Sequence, residues 1–233
     1  MKVLPLFLIF IFGTLILAII FLRPLSPTAE SNEITITIPE GYTVQQIGEL
    51  FDEVGTFSKD DFVAAAIGEE GFLFPDTYRF FKNTTPTKAI EKMKKNFENK
   101  TKDLFLNRDT IIMASIIEKE VSDSKDRRIV SGILWKRIER GIGLQVDAAL
   151  TYILGKRSDE LTGEDLSFNS PYNTYKYRGF PAGPIANPGL DAILAALNPE
   201  TSPYLFYLSD ENGITRYARN FDEHKENKLQ YLR

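Results

Sequence analysis

The feature that most constrains the fold is an uncharged apolar run at the start of the chain. Residues 3–22 read VLPLFLIFIFGTLILAIIFL and contain no Asp, Glu, Lys or Arg. About 20 residues in an α-helix span roughly 30 Å, the thickness of the hydrocarbon core of a bilayer. A cleaved signal peptide has a shorter apolar segment and a small-residue cleavage site, of which Thr28–Glu30 is an imperfect version. We expect residues 1–23 to form a transmembrane signal anchor, with cleavage as the alternative that the sequence leaves open.

The region after the anchor changes sharply in composition. Residues 24–33 are rich in Pro, Ser, Thr, Asn and Glu, and we expect them to form a linker. The ~200 residues that follow are enough to bury a hydrophobic core. The formal net charge of −4 argues against nucleic acid as a partner. The chain has no cysteine, which excludes disulfides and thiol chemistry.

Hydrophobic periodicity predicts an α+β protein after the linker. Ile34, Ile36 and Ile38 alternate with threonines, which indicates a half-buried strand that ends at Pro39. Apolar residues spaced three and four apart, together with capping residues, predict helices that begin near Thr43, Ser58, Thr85, Asp109, Asp126 and Asp222. Two β-rich runs around Gly213 predict a hairpin at residues 204–219. Strands and helices mix without a βαβ rhythm, so the α+β class is favoured.

Missing motifs exclude several classes of enzyme. The chain has one histidine, His224, and no G-x-S-x-G elbow, so a Ser-His-Asp site is not expected. No HExxH motif or cysteine cluster offers a zinc site, and no GxGxxG motif or P-loop offers a phosphate cradle. We therefore expect neither a metal nor a cofactor, and we expect His224 to be a surface or packing residue.

Carboxylates and aromatic side chains are the groups that remain for chemistry. Ten Tyr and seventeen Phe could offer flat platforms for the apolar faces of sugars. Cleaving a glycosidic bond needs a carboxylic acid that is protonated near neutral pH, and burial raises a carboxyl pKa toward that range. Glu118 and Glu120 lie among isoleucines in ASIIEKEVSD. They point about 200° apart on a helix, so they have separate surroundings. Periodicity does not choose between them. The alternative for either is a solvated helix face or an ion pair with Lys119 or the Arg127–Arg128 run.

Six segments, in order from about Ile34 to the C-terminus, together resemble the YceG-like endolytic murein transglycosylases, the MltG family. They are TIPEGYTVQQI, EGFLFPDTYRF, ASIIEKE, LQVDAALTY, SPYNTYKYRGFPAGPIANPG and the final SPYLFY with its later EH. The resemblance implies a membrane-anchored lytic transglycosylase that cuts the MurNAc-β-1,4-GlcNAc bond within nascent peptidoglycan glycan strands. Such enzymes leave 1,6-anhydro-MurNAc ends.

The resemblance also implies a location and partners. The enzyme would be a single-pass protein of the bacterial inner cell membrane, with its catalytic domain on the extracytoplasmic side. Its partners would be peptidoglycan strands, the membrane and peptidoglycan synthases, the penicillin-binding proteins. Residues 34–69 would form a small LysM-like strand-helix module, and residues 70–233 the mixed α+β catalytic domain.

Site residues follow from the same resemblance. The catalytic acid falls on Glu118, the first Glu of ASIIEKE, and Glu120 would be a structural residue beside it. The expected substrate contacts are Gln145, Asp147, Asn173, Tyr175 and Glu70. For Asp147, capping of the following helix is an alternative of comparable weight.

Two departures from the family pattern keep other functions open. Relatives usually carry an extra LysM-like module, whereas the strand at Ile34 here follows the linker almost at once. The histidine usual in a C-terminal strand is replaced near Thr215, and Lys225 replaces the asparagine that usually follows the final histidine. A non-catalytic peptidoglycan-binding scaffold is therefore one alternative, and a hydrolytic muramidase is another.

Overall fold

The structure is a computed structural model that describes residues 32–232. The predicted membrane anchor at residues 1–23 and most of the predicted linker at residues 24–33 lie outside the described residues. Within residues 32–232, no helix is both long enough and apolar enough to cross a membrane.

Helices and short strands follow one another irregularly along the described chain, which confirms the predicted α+β class. The helices are α1 (Val44–Glu53), α2 (Lys59–Ala65), α3 (Pro86–Thr101), α4 (Arg108–Glu120), α5 (Ser124–Glu139), α6 (Asp147–Leu154), α7 (Leu190–Leu197) and α8 (Phe221–Tyr231). The strands are β1 (Glu33–Thr37), β2 (Thr77–Phe81), β3 (Phe206–Ser209) and β4 (Thr215–Ala218). They form two separate antiparallel pairs, β1 with β2 and β3 with β4.

The first three helices begin at the capping residues that the sequence predicts. The side chains of Thr43, Ser58 and Thr85 each accept a hydrogen bond from the backbone N–H three residues further on. These bonds satisfy N–H groups that have no partner inside the helix, which is why such residues mark helix starts.

Two predictions about helix starts are wrong. Asp109 does not cap α4, because the side chain of Asn107 accepts the hydrogen bond from the Thr110 amide at 2.8 Å. Asp147 does not cap α6, because Asp147 is already its first helical residue and Val146 holds the capping position without a side-chain bond. The Asp147 carboxyl is therefore available for other contacts.

Two hydrophobic clusters form the interior of the described chain. The larger cluster surrounds α4, in which every residue from Thr110 to Ile117 is buried. The smaller cluster joins the β1–β2 pair to α1, α2 and α3, and it includes Phe51, Phe80 and Met93. Because β1 pairs with β2, this cluster extends beyond residue 69, where we expected the small module to end. The strand-helix-helix-strand unit accordingly spans residues 33–81.

A buried asparagine connects the two clusters. The Asn187 carbonyl oxygen accepts hydrogen bonds from the Gly71 and Leu73 amides, both at 2.9 Å. The Asn187 side-chain amide donates to the Tyr42 carbonyl at 3.0 Å and to Glu70 at 2.8 Å. All its side-chain hydrogen-bonding groups are thus engaged, and it fixes the small unit against the loop that precedes α7.

The C-terminal hairpin is confirmed. Tyr207 in β3 stands opposite Tyr217 in β4, and Gly213 in the turn has a φ of 74°. The ring of His224 in α8 stacks on Phe206, with ring centroids 5.2 Å apart. His224 therefore packs against the hairpin, which is one of its two expected roles.

Candidate active site

The two glutamates at the end of α4 face different partners, as helix geometry predicts. α4 runs through the larger hydrophobic cluster and ends at Glu120. Glu118 points toward α5 and the start of α7, whereas Glu120 points toward β3. Each carboxyl can therefore be assessed from its own contacts.

Glu118 takes part in a buried ion pair. One of its carboxyl oxygens accepts a hydrogen bond from Arg127 at 2.7 Å, and the other accepts from the Gly189 amide at 2.9 Å. The side chains of Glu118 and Arg127 are only 5% and 7% exposed. Arg127 also donates to the Val121 carbonyl at 3.0 Å and to Asp191 at 3.1 Å. The pair thus links α4, α5 and α7.

The surroundings of Glu118 act on its pKa in opposite directions. Burial raises the pKa of the Glu118 carboxyl, and the nearby charge of Glu40 adds to that rise. The Gly189 amide and the Arg127 guanidinium both lower it. Burial outweighs the two lowering contacts, so the pKa of Glu118 lies above its usual value of 4.5. The predicted catalytic role of Glu118 stays a prediction.

Glu120 has a different environment at the last residue of α4. One of its oxygens accepts a hydrogen bond from the Tyr207 hydroxyl at 2.9 Å, and no second side chain among residues 32–232 hydrogen-bonds to it. No cation pairs with it in the described chain. The C-terminal end of a helix carries partial negative charge, which disfavours a second negative charge there.

The pKa of Glu120 is raised to about 7, mainly because the carboxyl is removed from water. The Tyr207 hydrogen bond lowers it slightly, and the charge of Asp147 raises it further. A carboxyl with this pKa is partly protonated near neutral pH, as a general acid must be.

Two of the predicted substrate contacts, Asp147 and Tyr175, lie near Glu120, and a third, Gln145, lies beside the Thr174 backbone next to Tyr175. Asp147 accepts a short hydrogen bond from the Tyr175 hydroxyl. Gln145 accepts a hydrogen bond from Arg137 at 2.9 Å. The charges of Asp147 and Glu120 both raise the pKa of Tyr175, so the side chains of Asp147, Glu120 and Tyr175 lie close together. Polar side chains from α4, α6 and two loops therefore converge at one end of α4.

The backbone at Gln145 is strained. Its φ of 53° lies in the left-handed region, and it is the one residue other than glycine between 32 and 232 with a positive φ. The Gln145 amide donates to the Thr174 carbonyl at 3.2 Å, and the Val146 amide donates to the Thr174 hydroxyl at 3.0 Å. Arg137 donates to the Gly143 carbonyl from the other side, at 2.6 and 3.0 Å. Strain held in place in this way is common at functional sites.

Asn173 is buried within its own loop. Its amide donates to the carbonyls of Leu166 and Phe168, and its oxygen accepts from the amides of Tyr175 and Lys176, all between 2.8 and 3.1 Å. With both donors and the oxygen engaged, Asn173 shapes the loop that carries Tyr175. The predicted direct contact between Asn173 and substrate stays a prediction.

Glu70 lies apart from this group, at the N-terminal end of α1. Its carboxyl accepts from the Val44 amide at 3.1 and 3.2 Å, from Asn187 at 2.8 Å and from the Tyr152 hydroxyl at 3.2 Å. Burial raises the pKa of Glu70 to about 7, although these hydrogen bonds lower it. Glu70 lines a cavity, so its predicted contact with substrate stays a prediction for that separate place.

Sequence reasoning missed two side chains that organise the site, Tyr207 and Arg137, whereas pairing of a glutamate with Arg127 was one of the alternatives that it left open. Tyr207 lies in the SPYLFY segment and could have been suspected from it, but its target, Glu120, is 87 residues earlier. Arg137 and Arg127 lie in α5, where their spacing resembles that of ordinary solvated residues. Only the folded chain brings these two arginines against Gln145 and Glu118.

Comparison with known proteins places the chain among relatives of known name. The pattern that describes the YceG-like family matches residues 20–230. A Bacillus subtilis protein named endolytic murein transglycosylase is 29% identical over 247 residues, which is 91% of this chain and 69% of that protein. A Streptococcus pneumoniae protein of the same name is 29% identical over 246 residues, but the chain spans only 44% of its length. A crystal structure of a YceG-like protein from Listeria monocytogenes has a TM-score of 0.71 and 31% identity, and the match covers 82% of this chain and 75% of that one.

The fold and the site define a class: an α+β protein in which a core helix ends in a half-buried acidic group surrounded by polar side chains. The comparisons give the particular family. The chain belongs to the YceG-like family.

Proposed function

We propose that the protein is a membrane-anchored endolytic lytic transglycosylase of peptidoglycan, with Glu120 as its acid and base. The observation that carries the proposal is the carboxyl of Glu120, which accepts a hydrogen bond from Tyr207, has a pKa of about 7 and lies near Asp147 and Tyr175. Relatives named endolytic murein transglycosylases support the substrate class.

The reaction requires one carboxyl that first gives and then takes a proton. Protonated Glu120 donates to the glycosidic oxygen, and the bond between that oxygen and C1 of MurNAc breaks. The Glu120 carboxylate then takes the proton of the 6-hydroxyl of the same MurNAc as O6 attacks C1. This step closes the 1,6-anhydro ring and restores the acid, so no water is consumed.

Asp147 has a supporting role in this proposal. Positive charge develops at C1 as the bond breaks, and a carboxylate held nearby stabilises it. Tyr175 orients Asp147 through its hydroxyl. Gln145, held by Arg137, offers its amide to the hydroxyl or acetamido groups of the sugar.

The sequence-based assignment of the acid to Glu118 is the competing proposal. Burial raises the pKa of Glu118, which favours an acid. Two contacts count against Glu118 as the acid. To donate a proton, its carboxyl would have to release Arg127 and the Gly189 amide, and the buried guanidinium of Arg127 would then lose the negative charge of Glu118. We therefore assign Glu118 to holding α4, α5 and α7 together.

The experiment is digestion of purified sacculi by the full chain, with the products weighed by mass spectrometry. Wild type is compared with Glu120→Gln and with the matched variant Glu118→Gln, two residues away on the same helix. Anhydro ends from wild type, and none from folded Glu120→Gln, support the proposal. Loss of activity only in a fully folded Glu118→Gln would reverse the two roles. Reducing ends would indicate a muramidase, and binding without products would indicate a scaffold.

The membrane arrangement is part of the same proposal. Residues 1–23 are the single-pass anchor in the inner membrane, and the linker places the rest on the extracytoplasmic side. At about 3.3 Å for each extended residue, the stretch from Arg23 to Glu33 reaches about 35 Å. The enzyme would thus act on new strands close to the membrane, where peptidoglycan synthases such as penicillin-binding proteins are the expected partners. A longer linker should shift cleavage to older peptidoglycan. An unchanged length distribution of the glycan products would argue against this arrangement.

The domain organisation is also proposed. We take the strand-helix-helix-strand unit at residues 33–81 as the LysM-like module, in place of the expected range 34–69. The pairing of β1 with β2 supports this wider range, since neither strand has another partner strand in the described chain. The catalytic part follows this unit, and the asparagine hub at Asn187 joins the two.

A further inference from the structure

We propose that a cavity at the opposite end of α4 from Glu120 binds a remote sugar unit of the same glycan strand. This inference rests on the proposed function and adds a binding site to it. The cavity has a volume of about 470 Å³, within the usual range for small-ligand sites. Its walls come from the turn before β2, the ends of α3 and α6, the start of α4 and the 182–184 loop.

The position of the cavity separates it from the bond that is cleaved. Arg108 and Ile111 line it, and both lie in the first turn of α4. Glu120 is the last residue of this 13-residue helix, and a helix of that length spans about 18 Å at 1.5 Å per residue. A sugar in the cavity is therefore a different unit from the one beside Glu120, and both can belong to one polymer.

Aromatic rings give the cavity its shape. Phe72 packs edge-on against Phe97 with ring centroids 5.5 Å apart, and Tyr152 lies 5.4 Å from Tyr172. Three of these rings, those of Phe72, Tyr152 and Tyr172, are only partly buried. Flat aromatic surfaces beside hydroxyl groups suit a ligand that has one apolar face and a polar edge.

Two charged side chains, Glu70 and Arg108, lie in the wall of the cavity. Glu70 lies in its wall, but the carboxyl already accepts hydrogen bonds from Val44, Asn187 and Tyr152, so it is not left to pair with a cation. Arg108 at the rim donates a short hydrogen bond to the Ala182 carbonyl. The groups that remain to face a ligand are the Tyr172 hydroxyl, the other N–H groups of Arg108 and the aromatic rings. An N-acetylated amino sugar fits this chemistry, because its apolar face can lie on a ring while its hydroxyl and acetamido oxygens accept hydrogen bonds.

A glycine keeps one wall of the cavity open. A methyl group placed on Gly183 would lie 2.9 Å from the hydroxyl oxygen of Tyr172, closer than atoms normally approach. The φ of Gly183 lies outside the left-handed region, so alanine there meets no backbone strain. Gly183→Ala should therefore displace Tyr172 while the loop keeps its conformation.

The test is calorimetric titration of the full chain, in detergent micelles, with chitobiose, the disaccharide of N-acetylglucosamine. Tyr172→Ala removes one platform and Gly183→Ala displaces it, and we expect each to weaken binding roughly tenfold. Tyr177→Ala is the matched control, because Tyr177 lies in the same loop, is half exposed and does not line the cavity. Thermal unfolding of each variant shows whether it is folded.

The outcomes separate this inference from the proposed function. Equal affinity in wild type and both cavity variants, or no binding by wild type, would overturn the cavity assignment. Binding that is lost only in the cavity variants supports it, whether or not the chain cleaves sacculi. If wild type does cleave, the cavity variants should release glycan pieces with a changed length distribution, since a remote contact sets how far from it the strand is cut.

Discussion

Replacement of Glu118 by glutamine should cost the fold a large part of its stability. Removing one partner of a buried ion pair typically costs 3–5 kcal/mol, because the other charge stays buried without compensation. Here Arg127 keeps Asp191 as a second, half-exposed partner, and glutamine can still accept the Gly189 hydrogen bond. We therefore expect a loss of about 3 kcal/mol in the free energy of unfolding.

The assay is urea unfolding of the full chain followed by the fluorescence of Trp135. Trp135 is the single tryptophan, and its indole N–H donates to the Ala196 carbonyl at 3.0 Å, which joins α5 to α7. Glu120→Gln is the matched control, since no cation in the described chain pairs with Glu120. A loss below about 1 kcal/mol in Glu118→Gln would refute the reasoning, because surface ion pairs have that value.

Four further predictions concern the effect of pH on stability and on cleavage, the strained backbone of Gln145, and the hydrogen bonds of Asn187. Folding raises the pKa of Glu120 from 4.5 to about 7. The protonated carboxyl therefore contributes fully to the free energy of unfolding below pH 4.5, and this contribution is lost as pH rises through 7. Urea titrations should find Glu120→Gln more stable than wild type at about pH 8 and equally stable near pH 4. The rate of sacculus cleavage should likewise fall as pH rises above about 7, because the acid loses its proton, and a rate that is flat to pH 9 would contradict this. Gln145→Gly should relieve the left-handed strain and gain about 1 kcal/mol of stability while activity falls, and a loss of stability would contradict the strain. Asn187→Ala should lower the free energy of unfolding by at least about 3 kcal/mol, because it leaves buried N–H and C=O groups in two loops without partners, and a small change would count against the hub.

Local chemistry made much of the fold predictable. Capping side chains predicted the starts of α1, α2 and α3, and alternating isoleucines predicted β1. Asp109 misled the prediction for α4, because an acidic residue in the first turn looks like a cap in sequence whereas Asn107 makes the bond. The end of the small module at residue 69 stays a prediction, and the pairing of β1 could not be foreseen because its partner strand lies 40 to 48 residues later, beyond the reach of any local pattern.

The site could be predicted only in part. Resemblance pointed to Gln145, Asp147 and Tyr175, and the structure brings these three together. Helix geometry predicted that Glu118 and Glu120 would have separate surroundings. It did not say which of them would meet a cation, because Arg127 and Tyr207 reach the two carboxyls from other elements of the fold.

The central claim is that the acid is Glu120, and the most direct measurement is the amount of 1,6-anhydro ends released from sacculi by Glu120→Gln and Glu118→Gln. Both variants are assayed at a temperature where Trp135 fluorescence shows them folded. The account predicts no anhydro ends from Glu120→Gln and measurable amounts from Glu118→Gln. Anhydro ends from Glu120→Gln at the wild-type rate would contradict it.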